Sequence, residues 1–330
     1  VRHLIGAVSA ILAVGTVTAC EPPPPRPSFV VDTTASATDA APGDGVCETA
    51  TGNSVCSLRA AIVEGNAMGA ADISLPPGDY RDFSSPYPIT GDLRITGTGP
   101  GAVTVHHNIW VNPGGILRLS TLSLTIDARH IIVEGVLLGS RVHIDAPYGA
   151  VDLRSTGTAV FDQSIIVSNL NYTVQNAGVF HARHSLLQGL ILPPEYGGGG
   201  PPALETVGAG QSHVASSILS SEAYYDCVGT PPVSGGYNNT SYPFHGQCQL
   251  DGPGDVAGAP LGITWLGAGS STAWAYVIAP DSSLVDAIPI GTNGCGNDVT
   301  TDFFGNPRPV DGDGDGIAAC DIGPIERPAA

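Results

Sequence analysis

A serine followed by an aliphatic pair recurs through the middle of this chain, as Ser164-Ile165-Ile166, Ser185-Leu186-Leu187 and Ser217-Ile218-Leu219, with Val160, Val179 and Val214 upstream. The first two copies lie about 21 residues apart and the next two about 32. The longer interval contains Pro193-Pro194-Glu195-Tyr196-Gly197 through to Pro202, which reads as an inserted loop. Without that loop the period returns to about 21. Looser copies precede it: Leu117-Arg118-Leu119 with Leu122-Ser123-Leu124, and Ile131-Ile132-Val133. A period of this length, with three short strands per turn, implies an all-β solenoid, a parallel β-helix. Each coil buries its inward side chains only by stacking on its neighbours. A β-sandwich would show longer strands and more hairpin dipeptides.

The flanking sequence agrees. Ile73-Ser74-Leu75 stops at Pro76-Pro77-Gly78, Leu93-Arg94-Ile95 runs into Gly97-Thr98-Gly99-Pro100-Gly101, and Val103, Val105, Ile109 and Val111 alternate with polar residues after one slip of register. These are half-buried strands separated by turn residues. Charged residues make up only 13% and glycine is high at 44, which suits short strands and tight turns better than a helical bundle. The net charge of −18 argues against a nucleic-acid partner, since phosphate binding needs a basic face. All the basic residues are arginine, which excludes Schiff-base and lysine-base chemistry. Residues 222–290 are less regular. Their aromatics, Tyr224, Tyr225, Trp265, Trp274 and Tyr276, read as filling for an irregular core.

Before the repeats stand Arg2 and His3, then an apolar run from Leu4 to Val17, too short to span a membrane and flanked as an export signal is. It ends Val17-Thr18-Ala19-Cys20, which resembles a bacterial lipobox: residues 1–19 would be a lipoprotein signal peptide, and Cys20 would carry the acyl chains, palmitate among them. The alternative is an ordinary secretory signal. Residues 20–29, rich in proline, read as an extended tether from the membrane. Six cysteines remain. An exported chain with an even number is expected to oxidise them. Fifteen pairings exist. The grouping along the chain favours Cys47–Cys56, Cys227–Cys248 and Cys295–Cys320 over a zinc site, for which the spacing is wrong.

One stretch in the front half has helical spacing. Leu58, Ala61 and Ile62 are apolar, Ser57 stands where an N-cap should be, and Gly69 lies past the end. With Pro42-Gly43-Asp44-Gly45-Val46-Cys47 and Asn66-Ala67, the run Cys56-Ser57-Leu58-Arg59-Ala60-Ala61-Ile62 resembles the CSLREA domain of bacterial surface proteins, with Ala60 where the family usually has an acidic residue. Leu75-Pro76-Pro77-Gly78-Asp79-Tyr80, Ser234-Gly235-Gly236-Tyr237-Asn238, Asp302-Phe303-Phe304-Gly305-Asn306-Pro307-Arg308-Pro309 and Cys320-Asp321-Ile322-Gly323-Pro324-Ile325-Glu326 resemble later motifs of the same proteins, the choice-of-anchor Q group. The resemblance implies a right-handed, pectate-lyase-like parallel β-helix displayed at the cell surface; the family has no agreed catalytic residues, so the resemblance leaves activity open. It divides the chain into an N-terminal cap at 30–70 that contains a plug helix, a β-helix at 71–290, and a C-terminal cap at 291–330. Arg59 and Glu64 would stabilise the first cap.

Three groups of residues carry candidate chemistry. Asp311, Asp313 and Asp315 alternate with glycines, as at the start of a Ca²⁺ loop. Ile322 stands where such a loop has its bidentate Glu, and Asp321 would substitute, giving a structural Ca²⁺ site. Asp127, Asp145 and Asp162 are spaced a little under one coil apart, with Arg129, Arg141 and Arg154 nearby. Stacked on one face they would suit a polysaccharide lyase or glycosidase. His106-His107, and His181 with His184, are weak metal candidates; neighbours on a strand point to opposite faces. The reading that follows is a lipid-anchored protein exposed outside the cell envelope, structural, adhesive or ligand-binding, with a polysaccharide or another surface component as partner. The alternative is a carbohydrate-active enzyme.

Overall fold

The structure, a computed structural model, describes residues 25–82, 86–99, 101–126, 130–190, 200–221, 225–241, 248–266 and 275–329. After strand β1 (Ser28–Val30) and helix α1 (Leu58–Met68), the chain winds through about seven parallel coils. The first two are β2 (Ala70–Ser74), β3 (Gly78–Arg81) and β4 (Tyr87–Ile89), then β5 (Asp92–Thr96), β6 (Val103–His106) and β7 (Ile109–Val111). In the next two a long strand turns the corner between faces: β8 (Ile116–Thr125) with β9 (Ile131–Val133), and β10 (Val136–Ala146) with β11 (Val151–Leu153). The last three are β12 (Thr158–Asp162), β13 (Ile165–Ser168) and β14 (Val174–Asn176); β15 (Val179–Arg183), β16 (Leu186–Gly189) and β17 (Leu204–Thr206); and β18 (Gln211–Ala215), β19 (Ile218–Ser221) and β20 (Cys227–Gly229). Fragments β21 (Val233–Ser234), β22 (Asn239–Thr240) and β23 (Val256–Ala257) continue the stack, and β24 (Ile263–Leu266) with β25 (Ala275–Ile278) forms an antiparallel hairpin.

Three faces result. The first contains β2, β5, the front halves of β8 and β10, then β12, β15, β18 and β21. The second contains β3, β6, the back halves of β8 and β10, then β13, β16, β19, β22 and β23. The third runs from β4 to β20. Every partner in the stack is parallel, so the parallel β-helix expected from the repeat is the fold.

The recurring serine has a backbone cause. From β8 onward, each coil turns between the first and second faces through one left-handed residue: Thr121 (φ 53°), Arg141 (φ 52°), Gln163 (φ 50°), His184 (φ 47°), Ser216 (φ 51°) and Tyr237 (φ 57°). Such a conformation costs a non-glycine residue roughly 1–2 kcal/mol. The serine that follows offsets this. Ser185 Oγ accepts the Ser164 N–H at 3.1 Å and donates to Arg183 O at 2.8 Å; Ser217 Oγ does the same for Ser185 N–H and Ala215 O. Asn238 Oδ1 ends the ladder on Ser217 N–H. At the opposite corner coils approach so closely that a Cβ on Gly115 would lie 2.2 Å from Ile89 O, and one on Gly178 2.2 Å from Gly157 O.

Helix α1 plugs the first open end. Ser57 Oγ accepts the Ala60 N–H, Gly69 takes the left-handed C-cap, and Leu58 and Ile62 face the coil interior beside Ile89, Ile95 and Leu117. Buried Glu64 accepts the N–H groups of Gly43 and Gly45, fixing the preceding loop, while Arg59 pairs with Asp82 and lies over Tyr87. All three local cysteine couples are bonded, Cys47–Cys56, Cys227–Cys248 and Cys295–Cys320.

Two segments differ from expectation. The tether does not extend to residue 29. Arg26 reaches Asp72 and Asp92 at 2.9 Å each, and Ser28, which has the N–H that proline lacks, begins β1 beside β2. The C-terminal segment, expected as an end cap, lies along the side of the stack. Strands β12, β15 and β18 alternate between buried and partly exposed residues, but β13, β16 and β19 are buried throughout. In the serine repeat the second aliphatic residue, Ile166, Leu187 or Leu219, faces inward. The first, Ile165, Leu186 or Ile218, faces outward into a second core with Tyr276, Leu284, Ile288, Phe303 and Ile322. A side layer therefore covers what would be an exposed apolar stripe on the second face. Tyr276 serves as the core filling expected of the late aromatics, whereas Tyr225 is 42% exposed. The side chains of Tyr224, Trp265 and Trp274 lie outside the described residues.

Candidate functional site

In-register parallel stacking turns equivalent positions of successive coils into rows about 4.8 Å apart. The central outward row of the first face runs Asp72, Arg94, Arg118, Leu138, Val160, His181, His213, Val233. It changes from charged to apolar and aromatic at its middle, and there a groove of about 650 Å³ opens over β12, β15, β18 and β21. Val160, His181, His213 and Val233 line it, flanked by Asp162, Arg183 and Ser234.

Two arrangements define its chemistry. The His181 and His213 rings stack with centroids 4.6 Å apart and planes within 6°. Burial, and then His213, lower the pKa of His181, so its ring is neutral near pH 7. Beside them Arg183 grips Asp162 through two hydrogen bonds of 3.0 Å and reaches Asp298 of the side layer at 2.9 Å. Burial alone would lower the Arg183 pKa, but its bonds to the two carboxylates outweigh this and raise it; the same bond from Arg183 lowers Asp298. The groove thus presents imidazole edges and aliphatic surface next to a fixed ion triad whose own charge is net negative. Among the described residues Asp162 is the one carboxylate in its lining, and both its oxygens are engaged.

The acidic trio expected to stack on one face does not. Asp162 ends β12 on the first face, while Asp145 lies beyond the Arg141 corner on the second, paired in register with Val167. Asp127 and Arg129 are outside the described residues, as are Cys20 and most of the inserted loop. Arg154 is paired with Asp152. The histidine pairs also separate. His106 meets Asp79, His107 meets Asp82 O and lies tilted against the Tyr87 ring, and His184 is buried at a corner while His181 faces the groove. His213, which the sequence reading missed, is the true neighbour of His181. Both stand four residues before a ladder serine, as Val160 does, so register counted from the serines would have found it.

The Asp-rich loop forms a candidate metal centre with a changed membership. Asp311 and Asp313 gather with Asp286, with one carboxylate oxygen of each within 4.8 Å of the others. Asp315 is outside this group, and buried Asp321 spends its oxygens on the N–H groups of Asp286 and Arg327. Asp311 receives Gly314 and Gly316 N–H, Asp286 Oδ2 receives Gly312 and Asp313 N–H, and Asp286 Oδ1 is buried without a hydrogen bond. Three carboxylates, one with a buried oxygen that no hydrogen bond engages, fit a hard cation, and supply part of the six to eight oxygens Ca²⁺ takes.

The motifs near the C-terminus are structural. Arg308 is fully buried, pairs with Glu326 at 2.6 Å, and donates to Asp321 O and Gly323 O. Asp302 receives N–H groups of Phe304, Asn306 and Glu326. Burial, then Glu326, push the Asp321 carboxyl up to about 7, and burial raises Glu326. His184, held at the edge of this network by Asn293 O, is driven down to about 3 by burial and Arg308. No family model, curated protein or solved structure matches the chain.

Proposed function

We propose that this chain is a surface-displayed bacterial lipoprotein of the choice-of-anchor Q kind, held by lipid on Cys20, whose β-helix binds an extended ligand without turning it over. The groove over β12, β15, β18 and β21 carries this reading. Three strand spacings give it a length of roughly 14 Å, enough for a few units of a polysaccharide. Its aliphatic and imidazole surface suits sugar rings, and its net negative ion triad favours a neutral polymer over an acidic one. Among the described residues the lining holds one carboxylate, which is committed to Arg183, and not the general-acid and base pair that glycoside cleavage needs. A structural Ca²⁺ on the Asp286–Asp311–Asp313 group would stiffen the side layer that carries Asp298.

The test is affinity electrophoresis of the wild-type protein and Val160→Arg through gels containing neutral or acidic polysaccharides. A neutral polymer is expected to retard the wild type, and the variant by at least tenfold less. Retardation unaffected by the variant places binding elsewhere. Release of reducing or unsaturated ends from any polymer replaces this reading with the enzymatic one.

A further inference from the structure

We propose that His181 and His213 form a binding site for a late first-row divalent cation, Zn²⁺ above all, on the floor of the groove. The two residues are direct partners on adjacent parallel strands, so their Cβ atoms project side by side. Among the described residues no hydrogen bond or ion pair engages either ring, and the two rings stack on each other. This is unusual on a face where other polar side chains are spoken for: Arg183, Asp162 and Ser234 all have partners. Both rings border the open volume, so a cation can reach the ring nitrogens from solvent.

Imidazole binds Zn²⁺ through a neutral nitrogen at about 2.0–2.1 Å. A tetrahedral ion shared by two rings needs nitrogens about 3.3 Å apart. With centroids 4.6 Å apart and planes nearly parallel, the rings must tilt so that their outer edges converge to bring two nitrogens to that spacing. Two protein ligands leave two positions for water or for hydroxyls of a groove ligand, the open arrangement that exchangeable zinc sites keep. The site is chemically distinct from the Asp286 group. Nitrogen ligands select Zn²⁺, Ni²⁺ or Cu²⁺, and carboxylates select Ca²⁺ or Mg²⁺. It does not depend on what polymer the groove binds.

The experiment is calorimetric titration of the full chain, without an affinity tag, with Zn²⁺ against a millimolar Ca²⁺ background that occupies hard-cation sites. Visible absorption of Co²⁺ reports the coordination geometry. One Zn²⁺ per chain is expected, and His181→Gln and His213→Gln should each weaken it at least tenfold while leaving the metal-free melting temperature unchanged. His181→Asn is a second variant in case the first perturbs the strand. Binding of the same strength in both single variants, or no saturable Zn²⁺ binding in the wild type, overturns the proposal.

Discussion

Single residues decide how this solenoid turns its corners and how its last segment is fastened. Asp321, His143 and His184 are all buried where charge is unwelcome, and their protonation acts in opposite directions. Burial raises Asp321 to about 7 and lowers His143 to about 4 and His184 to about 3. A carboxyl whose pKa is raised by folding adds stability that is full at low pH and is lost as pH rises through the folded value. A histidine whose pKa is lowered adds stability at high pH that is lost as pH falls below its ordinary value of 6.5. Asp321→Asn removes the first contribution and leaves the histidines. Its stability relative to wild type should therefore fall as pH drops from about 7 to about 4, by up to about 1.4 kcal/mol per pH unit. Urea denaturation of both proteins across that window measures it; parallel curves would mean Asp321 titrates normally.

At this scale the sequence was informative where chemistry is local. The three cysteine couples and the cap at Ser57 were legible because their partners are near in the chain. Asp286 was not. It joins Asp311 only because the side layer folds back on itself, and no short-range pattern records that. His213 was hidden for a different reason. The insertion between β16 and β17 breaks the period just before it, so its equivalence to His181 shows only once the serines are aligned.

Among the elements, the strands of the second face do double duty. Their alternate residues build two cores, one inside the coils and one beneath the side layer. The sequence signalled this as aliphatic pairs, since a half-exposed strand would have alternated with polar residues. The pairs were read as repeat markers, and what covered the outward member was not readable from them. Ile218 is fully buried in the second core and touches the Gly323 turn. Ile218→Ala should cost about 2–4 kcal/mol. Hydrogen exchange should quicken in residues 284–325 and stay slow in β2 to β11. Uniform acceleration along the chain would instead mean that coils and layer unfold as one unit.

For the whole molecule, charge is the dominant long-range term. A net charge of −18 on a chain with twelve basic residues works against compactness, and few of its carboxylates can be neutralised within the fold. Added salt should therefore stabilise it. Raising ionic strength from about 0.01 M to about 0.15 M shortens the screening length from about 30 Å to about 8 Å, and the melting temperature is expected to rise by several degrees. A fall over the same range would mean that ion pairs such as Arg26 with Asp72 and Asp92 outweigh the general repulsion.

Arg183 ties this stack to a carboxylate 115 residues further along the chain. The groove wall is therefore assembled in time as well as in space. A chain emerging amino end first can wind its coils one after another and pair Arg183 with Asp162, but the guanidinium gains its second carboxylate only when Asp298 arrives and the last segment closes over the second face. The molecule has its scaffold early and its finished groove wall late, so an interrupted chain would be folded over most of its length and still lack the contact that fixes one edge of the groove.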